Sequence, residues 1–379
     1  MMDNLWLASA VWIGLALASS VISIRLALSV ALIEIMVGTL GGNLIGLPLT
    51  PWVNYLAGFG AILLTFLAGA EVDIAVVRRN FGASVGIGFI SFLLPYLGCM
   101  LAARYLLGWD WPQAQIAGIS LSTTSVAVVY AVMVETGLNK TELGKIILAA
   151  CFITDLGTVL ALGIVFANFN QWLIAFAAAT GVAVWLLPRF APWFFAKVGR
   201  RVSEPEIKFL LLVLFALGGF ATAVGSEAVL PAYLVGMALA PAFQRDPELP
   251  HRMRTIAFAI LTPFYFLKAG SLVEAQVLVS GAGLIALFLG MKMAAKFIGV
   301  LPLTRYYRFG NRDGMYTTLL MSTGLTFGTI SALYGYSHQI IDQSQYTVLV
   351  VAVIASAVVP TVIAQKWFLP KIELAKQEV

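Results

Sequence analysis

Apolar residues dominate this chain in runs of about twenty, separated by short polar or charged connections, and the runs recur from end to end. A run beyond roughly 18 apolar residues is long enough to cross a bilayer as a helix. The pattern predicts spans near 5–24, 27–47, 53–72, 84–107, 113–135, 143–168, 171–196, 207–224, 227–243, 253–272, 277–304, 314–337 and 345–369. The expectation is an all-α polytopic membrane protein of about thirteen crossings in one transmembrane domain, 1–379. Several spans contain Gly or Pro, which membrane helices tolerate.

Composition agrees with the pattern. The 379 residues are 60% hydrophobic and 11% charged, against about a quarter charged in soluble domains. Cys99 and Cys151 sit inside apolar runs, which argues against a disulfide framework or a metal site. Met1 to Leu5 carries no basic residue, so the first span does not read as a signal peptide.

The net charge of +5 is explained by where it lies. Nineteen of the 23 basic residues fall in alternate connections and the tail, from Arg25, Arg78 and Arg79 through Lys197–Lys208 to Arg305–Arg312. The opposite connections hold only Arg104 and, at a helix end, Lys268. This positive-inside bias places the N-terminus outside and the C-terminus in the cytoplasm of a cell (inner) membrane. The basic excess needs no nucleic acid to account for it.

Two spans are interrupted in a related way. Span five contains Ser122-Thr123-Thr124-Ser125 and span twelve contains Ser322-Thr323-Gly324-Leu325-Thr326. Seven spans apart, they cross in opposite directions, as discontinuous helices of two inverted-topology repeats would. Such helices form transporter sites near the midplane. Small and hydroxyl residues also serve close helix packing, and both uses stay open here.

Intramembrane charges sharpen the choice, because each is costly and is by default a functional-site hypothesis. Asp155 lies twelve residues into its span, about 18 Å along the helix and near mid-bilayer. A carboxylate there can hold a cation or a proton, but hardly both, which is the minimum an antiporter needs. Lys292 and Lys296, one turn apart on one face, each suit a counter-charge or proton carrier. Glu34, Glu71, Asp73, Glu135 and Glu227 lie at or near helix ends or inside a span, and His251 and His338 in loops. Surface or helix-end solvation accounts for most of these.

Several segments together resemble the cation:proton antiporter-2 family. Leu67-Ala68-Gly69-Ala70-Glu71-Val72-Asp73 with Arg78 is similar to its F-x-x-G-x-E-x-D signature. Thr154-Asp155-Leu156-Gly157 falls where its sodium/proton members carry paired aspartates. Lys296-Phe297-Ile298-Gly299 resembles their K-x-x-G, and Pro263-Phe264-Tyr265-Phe266 with Gly270 their P-F-F-F…G.

The resemblance implies exchange of Na+, K+ or Li+ for H+ with no cofactor, by alternating access. It implies a homodimer with a core subdomain near 53–168 and 253–337, the other helices forming a dimerisation scaffold. It also implies that Asp155 is the ion-binding carboxylate. The residues themselves suggest Thr154, Ser122, Thr123 and Thr124 as its companions in ion and proton binding, Lys296 and Lys292 as counter-charge or proton carrier, and Glu71, Ser322, Thr323 and Thr326 as accessory.

Two departures follow. Thr154 cannot ionise, which leaves Lys296 without its expected partner and makes one-for-one, electroneutral exchange the natural expectation. The chain ends about ten residues past the last span, so the C-terminal nucleotide-binding domain of the glutathione-gated potassium efflux relatives is expected to be absent. The alternative reading is a sodium-coupled organic-anion symporter with crossed helices. An enzyme is disfavoured, since no second intramembrane aspartate or deep Ser/His pair is present.

Overall fold

A computed structural model describes residues 5–26, 29–70, 72, 74–138, 141–166, 171–199, 201–224, 228–246 and 248–370. Glu71, Asp73, Lys140 and Glu227 lie outside the described residues, and so does the side chain of Glu135.

Among the described residues every regular element is helical. In chain order they are α1 (Leu5–Leu26), α2 (Val30–Ile45), α3 (Pro51–Ala70), α4 (Ile74–Arg79), α5 (Phe81–Tyr105), α6 (Trp111–Ser122), α7 (Val126–Glu135), α8 (Glu142–Val165) and α9 (Gln171–Val198). They continue with α10 (Pro205–Ala223), α11 (Val229–Arg245), α12 (Glu248–Ile256), α13 (Thr262–Ser271), α14 (Ala275–Ser280), α15 (Ala282–Tyr306), α16 (Asn311–Met321), α17 (Thr326–Ser337) and α18 (Gln343–Trp367). Among the described residues, eight helices are long and apolar enough to cross a membrane unbroken. Many large apolar side chains point outward, among them Trp6, Ile24, Leu44, Trp185 and Ile298. Lipid suits such a surface; a soluble monomer rarely exposes so much contiguous apolar area.

The spans expected near 113–135 and 314–337 are each two helices, α6/α7 and α16/α17. The span expected near 253–272 is also composite. A π-turn, Ala257–Leu261, joins α12 to α13, and the Thr262 N–H bonds five residues back to the Ala257 carbonyl. Pro263 is the cause: it has no N–H and would strike the carbonyl four residues earlier, so the helix widens by one residue before it.

Two compact units emerge from the packing. The first comprises Met1–Ile74 and Val159–Ala275. Its helices meet backbone to backbone at small residues. On α2, Gly38 and Gly42 are one turn apart, and an added Cβ would run into the Leu267 and Ser271 carbonyls of α13. Gly270 of α13 faces the Ile35 carbonyl in return. Gly69 of α3 and Gly236 of α11 make the same reciprocal contact with Tyr233 and Phe66. Between helices in lipid, where no hydrophobic drive exists, this close approach is what holds them together.

The second unit comprises Ala75–Thr158 and Gln276–Val379. Its apolar core joins Ile87, Val129, Met133, Ile147, Cys151, Val300, Tyr316 and Leu320. These limits differ from the expected 53–168 and 253–337. Helices α3 and α13 go to the first unit, because their glycine contacts are with α11 and α2. Helix α18 goes to the second, where it packs on α15, α16 and α17.

Candidate functional site

The site is built inside the second unit, from α5, α6, α8, α15, α18 and the two helix breaks. Hydroxyl side chains explain why the helices stop. Ser and Thr hydroxyls compete with the helical ladder by bonding to nearby backbone. The Ser122 hydroxyl donates to the Ile119 carbonyl at 2.8 Å and Thr123 Oγ1 to that of Ser120 at 3.3 Å. Thr123 then turns extended, at φ −64° and ψ 157°. Helix α7 restarts at Val126, with Ser125 Oγ accepting the Val128 N–H at 3.3 Å as a cap. In the other break, Ser322 Oγ donates to Thr318 O at 2.7 Å and Thr323 Oγ1 to Leu320 O at 2.8 Å. Leu325 leaves helical geometry at φ −153° and ψ −76°.

Broken helices expose carbonyls and N–H groups that must find partners, and these two breaks supply them to each other. Thr124 Oγ1 donates to the Met321 carbonyl at the end of α16, 2.9 Å away. The Ser125 N–H donates to Thr323 Oγ1 at 3.3 Å. The two interruptions read from the sequence therefore touch.

Lys296 of α15 is fully buried and closes the end of α6. Its ammonium donates to Ser91 Oγ at 2.8 Å, the Ser122 carbonyl at 3.0 Å and Thr124 Oγ1 at 3.1 Å, with the Thr123 carbonyl at 3.5 Å. A lysine cation at a helix C-terminus meets both the orphan carbonyls and the negative end of the dipole. The partner that the sequence leaves undefined is thus a set of oxygens on α5, the end of α6 and the break that follows it, rather than a carboxylate at position 154.

Lys292, also fully buried, is placed differently. Its Nζ donates to Ser356 Oγ of α18 at 2.9 Å. It also abuts Gly324 in the second break, where an added Cβ would collide with it. Each lysine accordingly serves one break.

Asp155 of α8 is 1% exposed, and its Oδ1 has no hydrogen-bond partner in the structure. Lys296 is near enough to act on it electrostatically, yet no ion pair within 4.0 Å forms. Buried carboxylate oxygens are ordinarily satisfied; this one is an exception. Thr154 Oγ1 shares its proton between Ala150 O at 3.0 Å and Gly88 O of α5 at 3.1 Å. That tie packs α8 onto α5 at a glycine and leaves only the hydroxyl lone pairs for other use. Thr158 Oγ1 in turn donates to Thr154 O at 3.0 Å.

The structure thus brings together Ser122, Thr123, Thr124, Thr323, Lys292 and Lys296, with Asp155 within electrostatic reach of Lys296 but not in contact with it. Ser322 stays bonded to its own helix, and Thr326 opens α17 half-buried. Three contributors escape sequence reasoning: Ser91, Ser356 and Gly324 in its role as the seat of an ammonium. A single serine in an apolar helix carries no signal in one sequence; only the fold shows which lysine it faces.

Residues 12–368 match the family model described as sodium/hydrogen exchanger, transmembrane. A Methanocaldococcus jannaschii protein named probable Na+/H+ antiporter 3 is 27% identical over 347 residues, covering 88% of each chain. The Na+/H+–K+ antiporter GerN of Bacillus cereus is 22% identical over 84% of this chain and 85% of its own. The chain spans 58% of the putative Na+/H+ antiporter YjbQ of Bacillus subtilis, at 24% identity. Among solved structures, the sodium/proton antiporter MjNhaP1 of Methanocaldococcus jannaschii at pH 8 shares the fold, with a TM-score of 0.71 over 95% of this chain and 96% of that one at 14% identity. With a match over nearly its whole length, the chain belongs to the transmembrane sodium/hydrogen exchanger family.

Proposed function

We propose that this protein exchanges a monovalent cation, Na+ or K+, for protons, and that Asp155 is the group for which they compete. The unsatisfied Oδ1 of a fully buried carboxylate carries the reading. Oxygens from the first helix break and from Thr154 would replace part of the ion's hydration shell, as Ser and Thr hydroxyls and unwound carbonyls do in discontinuous transporter helices. Protonation of Asp155 on the acidic side expels the ion; deprotonation on the other side admits the next.

Lys296 stays seated on α6 in this scheme, and Thr154 carries no charge. One carboxylate therefore handles one charge per half-cycle, and exchange is one-for-one and electroneutral. The second unit acts as the moving core, and the first as scaffold and dimerisation surface of a homodimer. The positive-inside bias sets the N-terminus outside and the C-terminus in the cytoplasm of a cell membrane. The names of the relatives, which cover both sodium and potassium, support this class of substrate.

The test is Asp155→Asn in everted or reconstituted vesicles, with Na+, K+ and Li+ added in turn and proton movement read by dequenching of a pH-gradient dye. Exchange is expected to vanish while the purified protein keeps its unfolding midpoint. Undiminished exchange sinks the proposal. An imposed membrane potential should leave the wild-type rate unchanged; a clear response refutes the electroneutral version alone.

A further inference from the structure

The chain passes from one unit to the other after Ile74, within α8 after Thr158, and after Ala275. The last of these crossings is held by a polar side chain that the exchange site does not use. Asn43 lies in the last turn of α2, next to Gly42, where α2 and α13 run backbone to backbone. A side-chain amide offers two N–H donors and one carbonyl oxygen, and here all three groups are engaged. Nδ2 donates to the Thr39 carbonyl of its own helix at 2.8 Å and to the Val273 carbonyl at 2.7 Å. Oδ1 accepts the Ala275 N–H at 3.0 Å.

Val273 follows the end of α13, and Ala275 opens α14. Carbonyls at the end of one helix and N–H groups at the start of the next find no partner within those helices. One amide on α2 serves both, on either side of Glu274. The Val273 N–H turns back to the Gly270 carbonyl at 2.9 Å, and Gly270 itself abuts the Ile35 carbonyl of α2. The first unit is thus tied to α2 up to its final residue.

Beyond Ala275 the chain changes character. Helix α14 has only six residues, with Gln276, Val279 and Ser280 exposed, and helices so short are marginal in themselves. Gly281, at φ −90° and ψ 3°, separates it from α15. Helix α15 then carries Lys292 and Lys296 to the two breaks. This connection therefore has a pinned side that ends at Ala275 and a short, glycine-ended side that can bend.

We propose that Asn43 is the positioning residue of a pivot: it holds Val273–Ala275 still, so that movement of the second unit bends the chain at α14 and Gly281 and is delivered to α15. The inference rests on the second unit being the moving core of the exchanger. It assigns Asn43 to turnover and leaves ion affinity to the site. Slowing every translocation step alike lowers the maximal rate, whereas KM, set by a rapid binding equilibrium, stays where it was.

Two cross-links in reconstituted vesicles test the pivot. Asn43→Cys/Ala275→Cys removes the amide; in its reduced form the maximal rate should fall at least about threefold, with KM for Na+ and K+ within about twofold of wild type. Joining the two thiols with a short bis-methanethiosulfonate replaces the lost bonds by a covalent tie on the pinned side, and the rate should return toward wild type. A poorly folded variant would not regain activity on being tied. Val277→Cys/Gly281→Cys staples the bending side instead. A Cβ on Gly281 would lie 3.2 Å from Val277 Cγ1, so the pair is within bridging reach. Its disulfide should stop exchange, and dithiothreitol should restore it. Wild-type protein, whose two cysteines are buried, is the control for both reagents.

A wild-type rate in the reduced Asn43→Cys/Ala275→Cys protein overturns the inference. So does a raised KM at an unchanged rate, a rate that the tie leaves low, or undiminished exchange through the Val277–Gly281 disulfide. Spin labels at two exposed positions, Trp185→Cys in the first unit and Phe89→Cys in the second, report the movement itself. A label separation that ignores pH and Na+ sinks the moving-core reading and the pivot together; a separation that changes while the cross-links behave otherwise than stated sinks the pivot alone.

Discussion

Lys296→Met is the sharpest test of how the broken helix is held. Methionine has nearly the length of lysine and no charge, so packing on α15 is largely kept. What disappears is the cap on α6. The Ser122 and Thr123 carbonyls lose their donor in a fully buried setting. A buried acceptor left unpaired costs about 1–3 kcal/mol, and the negative helix end loses a counter-charge worth about 0.5–2 kcal/mol. Thr124 keeps its bond to Met321 O, and relief from burying an ammonium offsets part of the loss. The net expected destabilisation is about 3 kcal/mol, the low end for removing one partner from a buried charged cluster. For a unit of this size that is roughly 6–12 °C in unfolding midpoint. Tryptophan fluorescence during heating of the detergent-solubilised protein reads it directly. Lys296→Arg, which keeps a cation with more donors, should lose less. A Lys296→Met protein melting within about 2 °C of wild type would refute the capping argument and leave the lysine free for another task.

Two further outcomes follow from the packing. Thr124→Val removes the hydroxyl that accepts from Lys296 and donates to Met321 O; it should cost about 1–3 kcal/mol and slow exchange, both measurable in the assays above. Gly236→Val would drive a branched side chain into the Phe66 carbonyl of α3. Overpacking of this kind costs about 1–3 kcal/mol or more, so the variant should fold poorly in membranes, seen as loss of the monodisperse peak in size-exclusion chromatography. Normal yield and a wild-type midpoint would show that α3 and α11 can part without penalty.

A single sequence determines much of this protein because the bilayer imposes one-dimensional rules. Span length follows from membrane thickness, helicity from the need to satisfy every backbone group without water, and an expected orientation from where the basic residues cluster. The same economy exposes the site: Asp155, Lys292 and Lys296 stand out because charges inside apolar runs are expensive, and the two Ser/Thr-rich stretches because hydroxyls interrupt helices. Tertiary structure decided what those residues touch. That Lys296 sits on the α6 carbonyls and Ser91, that Lys292 reaches Ser356 past Gly324, and that one oxygen of Asp155 is left without a partner all depend on helices up to 205 residues apart in sequence. The groupings of α3 with α11 and α2 with α13 were equally hidden, because glycines mark a close approach without naming the partner. Burial, hydrogen-bond satisfaction and charge balance belong to pairs of residues, and a lone chain read end to end specifies only one member of each pair.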